Sequence, residues 1–356
     1  MHRIPGKIAS VVMAAATVTA GLAAPARAAA PPAPPAPPAP PAPDTTTAAT
    51  ARTSDGARVD SAAAAKKVGS YWTAERMRRA RPVPAPEDRV AAPAPAPATA
   101  PAPAGRPSGR PGSHAPARAV DPAAIRAGAR ELAGGDRALE AKINDSAAVG
   151  KVFFRKPSGG DWACSAAALN SSSRQLVVTA GHCVHEGDGG GWMLNWTFVP
   201  RYRNGARPFG TFAAKQFRAF NAWINNGDLR RDVGMVTTWP QDGKKLVNVV
   251  GGNGLQWNRP RTTAMTVFGY PGNRDNGQIQ WVCQGTTSPV IDGRIQLRCN
   301  FGGGSSGGPW LRQYNDSNGL GYVNGTMSTI SSGGWNRSPY FDNAVKTMFD
   351  AQGGVT

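Results

Sequence analysis

The sequence predicts an all-β domain closed by one C-terminal helix and preceded by a disordered leader rich in Ala and Pro. Three observations carry that prediction. Residues 29–122 are dominated by Ala and Pro, which favour extended polyproline II and bury almost nothing. After residue 148 the chain breaks into short β-prone runs separated by Gly, Asn and Pro, the pattern of a sandwich or barrel. All four cysteines, Cys164, Cys183, Cys283 and Cys299, fall in that β-rich part.

The first residues, MHRIPGKIASVVMAAATVTAGLAAPARAAA, read as a secretory signal peptide. Arg3 and Lys7 give a basic start, an Ala/Val-rich run follows, and Ala26-Arg27-Ala28 is a small-x-small cleavage site. A membrane span is the competing reading, but Ile8 to Ala24 is short, weakly apolar and ends in that processing site. Residues 1–28 are therefore a signal, 29–144 a propeptide and linker, and 145–356 one folded domain, with the protein exported. The linkers include PPAPPAPPAPPAP at 31–43 and APAPAPATAPAPAG at 92–105. Between them, KKVGSYWTAERMRRARPV at 66–83 sets Tyr71, Trp72 and Met77 among Arg and Lys, which suits a short amphipathic element of a basic propeptide. The stretch AAIRAGARELAGGDRALEAKI at 123–143 has helix-forming composition, broken at Gly134-Gly135.

The formal charge is +18, but it is spread evenly: residues 1–144 hold 19 Lys+Arg against 10 Asp+Glu, and residues 145–356 hold 21 against 12. No aromatic-interleaved nucleic-acid motif accompanies the excess, so nucleic-acid binding is not expected. The reading is a solvated basic surface that permits electrostatic association with an anionic cell envelope. A monomer with no membrane contact after signal removal is expected.

In the folded part the β-prone runs are VGKVFF at 149–154, SRQLVVTA at 173–180, WMLNWTFVP at 192–200, DVGMVTTW at 232–239 and TAMTVFGYP at 263–271. GQIQWVCQG at 277–285, GRIQLRCN at 293–300 and GLGYVNGTMSTI at 319–330 follow. The closing helix is read in SPYFDNAVKTMFDAQGG at 338–354, where Tyr340, Phe341, Val345, Met348 and Phe349 recur at helical spacing and Gly353 is a stop.

Two adjacent serines sit in GGGSSGGPW at 302–310. A serine nucleophile needs a base, and histidine has its unperturbed pKa near neutrality. His2 lies in the signal and His114 in the linker, leaving His182 and His185. His182 directly follows a strand in VVTAGHCV, whereas His185 opens the polar stretch HEGDGGG, which looks like an exposed loop; His182 is the candidate. The base in turn needs a buried carboxylate. Most acids after His182 lie in turns, but Asp232 opens the apolar run of RRDVGMV and can sit at a core edge. The four cysteines of an exported chain predict two disulfides, with three pairings open. The local pairs are expected: Cys164–Cys183 would tie a strand to the histidine turn, and Cys283–Cys299 would staple a hairpin leading into the serine loop. Zinc binding by HCVH competes, but it would take one cysteine from an even set. No metal or cofactor is expected.

TAGHC, an Asp before an apolar run, and G-x-S-G-G-P in that order resemble the trypsin/chymotrypsin-like serine endopeptidases, in their secreted bacterial branch, over about residues 145–356. The resemblance implies two six-stranded antiparallel β-barrels with the site between them. It implies Ser306 as nucleophile in Gly304-Ser305-Ser306-Gly307-Gly308-Pro309, His182 as general base and Asp232 as its orienter, acting on a polypeptide through an acyl-enzyme. The amides of Gly304 and Ser306 would form the oxyanion hole. Asn300, Met327, Ser328, Thr329 and Ile330 would line the substrate pocket. Uncharged Asn300, at the base-of-pocket position, argues against a Lys/Arg preference, and a small or medium apolar residue is the expected choice. Ser305 departs from animal relatives, which carry there an Asp that pairs with the amino terminus freed on activation. Activation by a new terminus is therefore not expected, although a removable leader is, with the mature start at roughly 119–149. The competing functional reading is a non-catalytic serine-protease-like binding module at the cell envelope. An esterase is disfavoured, because its nucleophile elbow belongs to strand–helix alternation that this chain lacks.

Overall fold

The computed structural model describes residues 44–86, 88, 109–120 and 145–356. The signal peptide, the linkers at 31–43 and 92–105 and the helix-forming stretch at 123–143 lie outside the described residues. The leader contributes β1 (Thr46–Thr50), α1 (Ala62–Tyr71), α2 (Ala74–Arg79), β2 (Arg81–Pro82) and β3 (Gly112–His114).

The first half of the folded domain forms β4 (Val149–Arg155), β5 (Asp161–Leu169), β6 (Leu176–Thr179), β7 (Leu194–Pro200), β8 (Phe212–Phe220) and β9 (Gly234–Thr238). They pair in the order β8-β7-β4-β5-β6-β9, and β9 pairs back on β8, closing a six-stranded antiparallel barrel with no free edge inside the ring. Its interior is filled by Val152, Phe154, Ala166, Val177, Phe198, Phe217 and Val236, all essentially inaccessible. Short helix α3 (Asn221–Asn226) follows β8, and α4 (Leu246–Val250) follows β9.

β10 (Gly254–Trp257) leads into the second half, which comprises β11 (Ala264–Gly269), β12 (Trp281–Thr286), β13 (Ser288–Pro289), β14 (Ile295–Arg298), β15 (Pro309–Asn315), β16 (Leu320–Thr326), β17 (Thr329–Ser331) and β18 (Trp335–Ser338). Thr287 alone separates β12 from β13, and Met327-Ser328 separate β16 from β17, so two long bent strands each serve two sheets. Pairings β11–β12, β13–β14, β14–β18, β18–β17, β16–β15 and β15–β11 then run once around a second six-membered ring. Met265, Val267, Ile295, Leu297, Phe301 and Trp310 pack inside it. β10 and β3 extend its sheet outside the ring.

The closing helix α5 (Asn343–Gly353) packs on β9 and β10 and so joins the two halves. Asp342 caps it by accepting from the Ala344 and Val345 amides and also pairs with Arg231 at 2.9 Å. Phe341, Val345, Met348 and Phe349 bury against Leu176, Met235, Leu255 and Val323.

The described residues of the leader pack on the first barrel, and α1 and α2 form largely within the segment 66–83, where the sequence suits a short amphipathic element able to dock on the domain. β1 pairs antiparallel with β8 along its whole length, and α1 lies over β7 and β8. Val59, Val68, Trp72, Met77 and Val83 enter the core of the first barrel, and the Trp72 indole donates to the Asn195 carbonyl at 2.6 Å. Composition forecasts whether a segment can build its own core; here the core belongs to the barrel, and each such side chain gains about 1.5–3 kcal/mol by joining it. No helix among the described residues is long and apolar enough to cross a membrane.

Candidate active site

His182 lies in a single turn of 3-10 helix, Gly181–Cys183, just after β6. Cys183 is bridged to Cys164 on the neighbouring strand β5, which fixes this turn against the barrel wall. Asp232 follows the turn Leu229–Arg231 and precedes β9, the strand paired with β6, so barrel closure brings the two residues together. The His182 ring Nδ1 donates to Asp232 Oδ2 at 2.8 Å, and the His182 backbone amide donates to Oδ1 at 2.8 Å. The Ser328 hydroxyl donates to Oδ2 at 2.6 Å. Burial pushes this fully enclosed carboxyl up, but the charge and hydrogen bonds of His182 and the Ser328 hydroxyl outweigh it and hold it below the ordinary carboxylate value. With Nδ1 committed to Asp232, the other ring nitrogen, Nε2, is left buried and without a hydrogen-bond partner.

Ser306, 1% exposed, is held by the glycine-rich loop rather than by a helix or strand. Its carbonyl accepts from the Ser165 amide at 2.7 Å, on β5 immediately after Cys164. The Ser165 hydroxyl donates to the Gly304 carbonyl at 2.9 Å and accepts from the Tyr270 amide at 2.9 Å. Gly307 (φ 79°) explains part of the glycine run: a Cβ there would lie 2.0 Å from Thr179 Oγ1 and 2.8 Å from the Ala180 amide, directly before the histidine turn. The loop is thereby pressed onto the segment that carries His182. Gly304 has φ 84°, and its amide donates at 2.9 Å to the carbonyl of Val83 in the leader. Ser305 turns its hydroxyl back to the Gly302 carbonyl at 2.6 Å, inside the loop.

Both disulfides are the local pairs, Cys164–Cys183 and Cys283–Cys299, and no free cysteine remains among the described residues. Cys164, His182 and Cys183 do place ligand-type atoms within 4.8 Å of one another, but both sulfurs are spent in the bridge, so the set does not fit a zinc ion. His185 corrects the sequence reading of an exposed loop: it is 2% exposed, its ring sits 4.9 Å from that of Trp192, and its Nδ1 accepts from the Gly187 amide. Among the expected pocket residues, Ser328 faces Asp232, Thr329 is buried, Ile330 is half-buried and Asn300 is exposed. Met327 is buried in the second barrel's core with Trp310 and Phe301. Three contributors escaped the sequence reading: Ser165, the Ser328–Asp232 bond, and Trp223, whose ring stands 6.0 Å from that of His182. Only Ser165 carried a signal, as a lone hydroxyl in the Ala-rich run DWACSAAAL.

Two joined antiparallel barrels, with a His–Asp pair from one and a glycine-bound serine loop pressed against it, define the class of two-barrel serine hydrolases. Residues 164–320 match the family described as the trypsin-like peptidase domain. The serine protease AL20 from an extremophilic microorganism is 31% identical, covering 59% of this chain and 99% of that one with a TM-score of 0.56. The protease Anisep from Arthrobacter nicotinovorans is 32% identical, covering 59% and 97% with a TM-score of 0.55. This chain belongs to the trypsin-like serine proteases. Among curated relatives, the extracellular metalloprotease of Bacillus subtilis is 26% identical over 167 residues, 44% of this chain and 48% of that protein. The glutamyl endopeptidase of Bacillus licheniformis is 26% identical over 141 residues, 39% of this chain and 43% of that protein. The chain thus spans about half the length of these curated relatives.

Proposed function

We propose that the protein is a secreted serine endopeptidase whose domain 145–356 hydrolyses peptide bonds through Ser306, His182 and Asp232. The observation that carries this reading is the fully buried Asp232 carboxylate holding the His182 ring at 2.8 Å, which leaves Nε2 as a partnerless buried nitrogen beside the segment that seats the serine loop. In the reaction Nε2 takes the Ser306 hydroxyl proton as Oγ attacks the carbonyl carbon of a polypeptide substrate, forming a tetrahedral adduct. Negative charge develops on the former carbonyl oxygen and is met by the Gly304 and Ser306 amides. The imidazolium, stabilised by Asp232, protonates the departing amine and leaves an acyl-enzyme. Water then repeats the sequence, with His182 again as base, and releases the acid.

Export is supported by the signal-like start and by two disulfides, which persist in oxidising compartments. The leader obstructs the site as it stands: the Val83 carbonyl occupies the Gly304 amide, and the Val83 amide donates to the Ala163 carbonyl at 2.9 Å. Displacing or removing the leader is therefore part of activation. The test is labelling of the purified protein with a fluorophosphonate, locating the modified residue by mass spectrometry. Modification of Ser306 is expected, and its loss in His182→Ala. Labelling at another residue would overturn the assignment.

A further inference from the structure

Beyond Val83 the leader reaches the second barrel, where the Asp88 carboxylate is inserted. Asp88 Oδ1 accepts from Arg294 Nη2 at 3.0 Å and pairs with Arg337 Nη1 at 2.8 Å. Oδ2 accepts from the Thr329 hydroxyl at 2.6 Å, and Arg294 Nη1 donates to that same hydroxyl at 3.1 Å. The side chains of Arg294, Arg337 and Asp88 are at most 1% exposed. Burial pushes the Asp88 carboxyl up, but the hydrogen bonds of Arg294 and Thr329 and both guanidinium charges hold it below its ordinary value. Asp292 holds Arg294 Nε from its other side at 2.7 Å, and Gln296 accepts from Arg337 Nε at 3.3 Å, so both guanidiniums are oriented by the barrel itself.

Two buried guanidiniums that converge on one point repel each other and lose hydration unless an anion lies between them. The barrel supplies both cations and the hydroxyl, yet the anion at their meeting point comes from the leader. The leader also runs the wrong way for a substrate. β2 is parallel to β5, so the segment passes from Ala163, past the Gly304 amide, to Thr329. The residue whose carbonyl is attacked belongs on the pocket side, so a cleavable chain would enter by Thr329 and leave by Ala163. With the backbone reversed, what the site selects in Asp88 is its carboxylate.

We propose that Arg294, Arg337 and Thr329 form a subsite on the acyl side of the cleft for an acidic side chain of a polypeptide substrate, which Asp88 fills until the leader departs. The inference rests on the reading of Ser306 as nucleophile. It is separate from the pocket position Asn300, which is exposed.

The experiment uses the full-length chain with Asp88→Asn, which weakens the leader's anchor without touching the barrel. Fluorophosphonate labelling of Ser306 should then be about tenfold faster than in the parent, since a charge-assisted carboxylate contact is replaced by an amide. Peptides that differ only by Glu or Gln, moved through the acyl-side positions, should show kcat/KM about tenfold higher for Glu at one position. Adding Arg337→Gln should bring that ratio close to one, and the near-isosteric Thr329→Val should lower it while preserving the fold. Equal rates for Glu and Gln at every position, with Ser306 labelled normally, would overturn the subsite and leave the nucleophile standing. Absence of Ser306 labelling in every variant would overturn the nucleophile instead. In that case fluorescence anisotropy with the same peptides still decides the subsite, Glu-selective binding supporting it and equal binding overturning it.

Discussion

Ser305 and Ser306 are adjacent and chemically identical, and their surroundings separate them. The Ser305 hydroxyl is consumed by the Gly302 carbonyl three residues back, whereas the Ser306 backbone is sewn to Ser165 beside the Cys164–Cys183 bridge. Ser306→Ala should therefore abolish peptide hydrolysis, with a loss of order 10⁴ or more that His182→Ala should match. Ser305→Ala should keep most activity. Steady-state kinetics on one peptide substrate checks both, and retained activity in Ser306→Ala with loss in Ser305→Ala would reverse the assignment. At this scale the motifs TAGHC and GSSGGP were legible as short contiguous stretches that resemble the family's. The Ser328 hydroxyl on Asp232 was not legible as a contact, since 96 residues separate the partners and nothing local marks the pairing.

At the scale of elements, most expected strands formed, and those that went unread have Ala or polar residues where β-branched ones would signal a strand. β5 (DWACSAAAL) and β8 (FAAKQFRAF) are examples. Small residues suit strands packed on both faces, so tertiary burial overrides their weak local preference. β4 carries a second consequence of burial. Lys151 is enclosed between Phe153 and Tyr202, its Nζ donates to the Gly277 carbonyl at 2.6 Å, and burial lowers its pKa from 10.5 to about 7. Between those two values the unfolded chain binds the proton and the native chain does not, so stability should rise with pH from about 7 towards 10.5. Thermal melts of Lys151→Met across that range should show a flatter rise than the parent; an identical slope would exclude Lys151 as the source. The bridge Cys164–Cys183 encloses a short loop, and replacing both cysteines by serine should cost about 3 kcal/mol in denaturant melts and reduce activity through the histidine turn.

At the scale of the molecule, the proposed function makes the position of the leader, which touches the Gly304 amide through Val83, decide whether the cleft is open. Ser305 cannot form an ion pair with a new amino terminus, and two other acids near the domain start are already engaged: Asp145 by Arg201, and Asp161 by Arg155 and Tyr71. Release rather than insertion is the expected route. Chains begun at several points across residues 119–149 should then show similar specific activity towards one peptide. A sharp requirement for one first residue would overturn release and point to a terminal ion pair.

The sequence by itself determined the class of fold and pointed to the proposed chemistry. The proposed nucleophile, base and acid sit in short motifs that resemble the family's, and alternating β-prone runs with an even cysteine set specify a bridged β domain. Tertiary structure alone decided what fills the cleft. Val83 on the Gly304 amide and Asp88 between Arg294 and Arg337 join residues more than 200 positions apart, and their attraction exists only once both barrels have closed and driven water from the site. The same holds for α1 and α2, which fold where the barrel offers a core that the leader's own composition could not build.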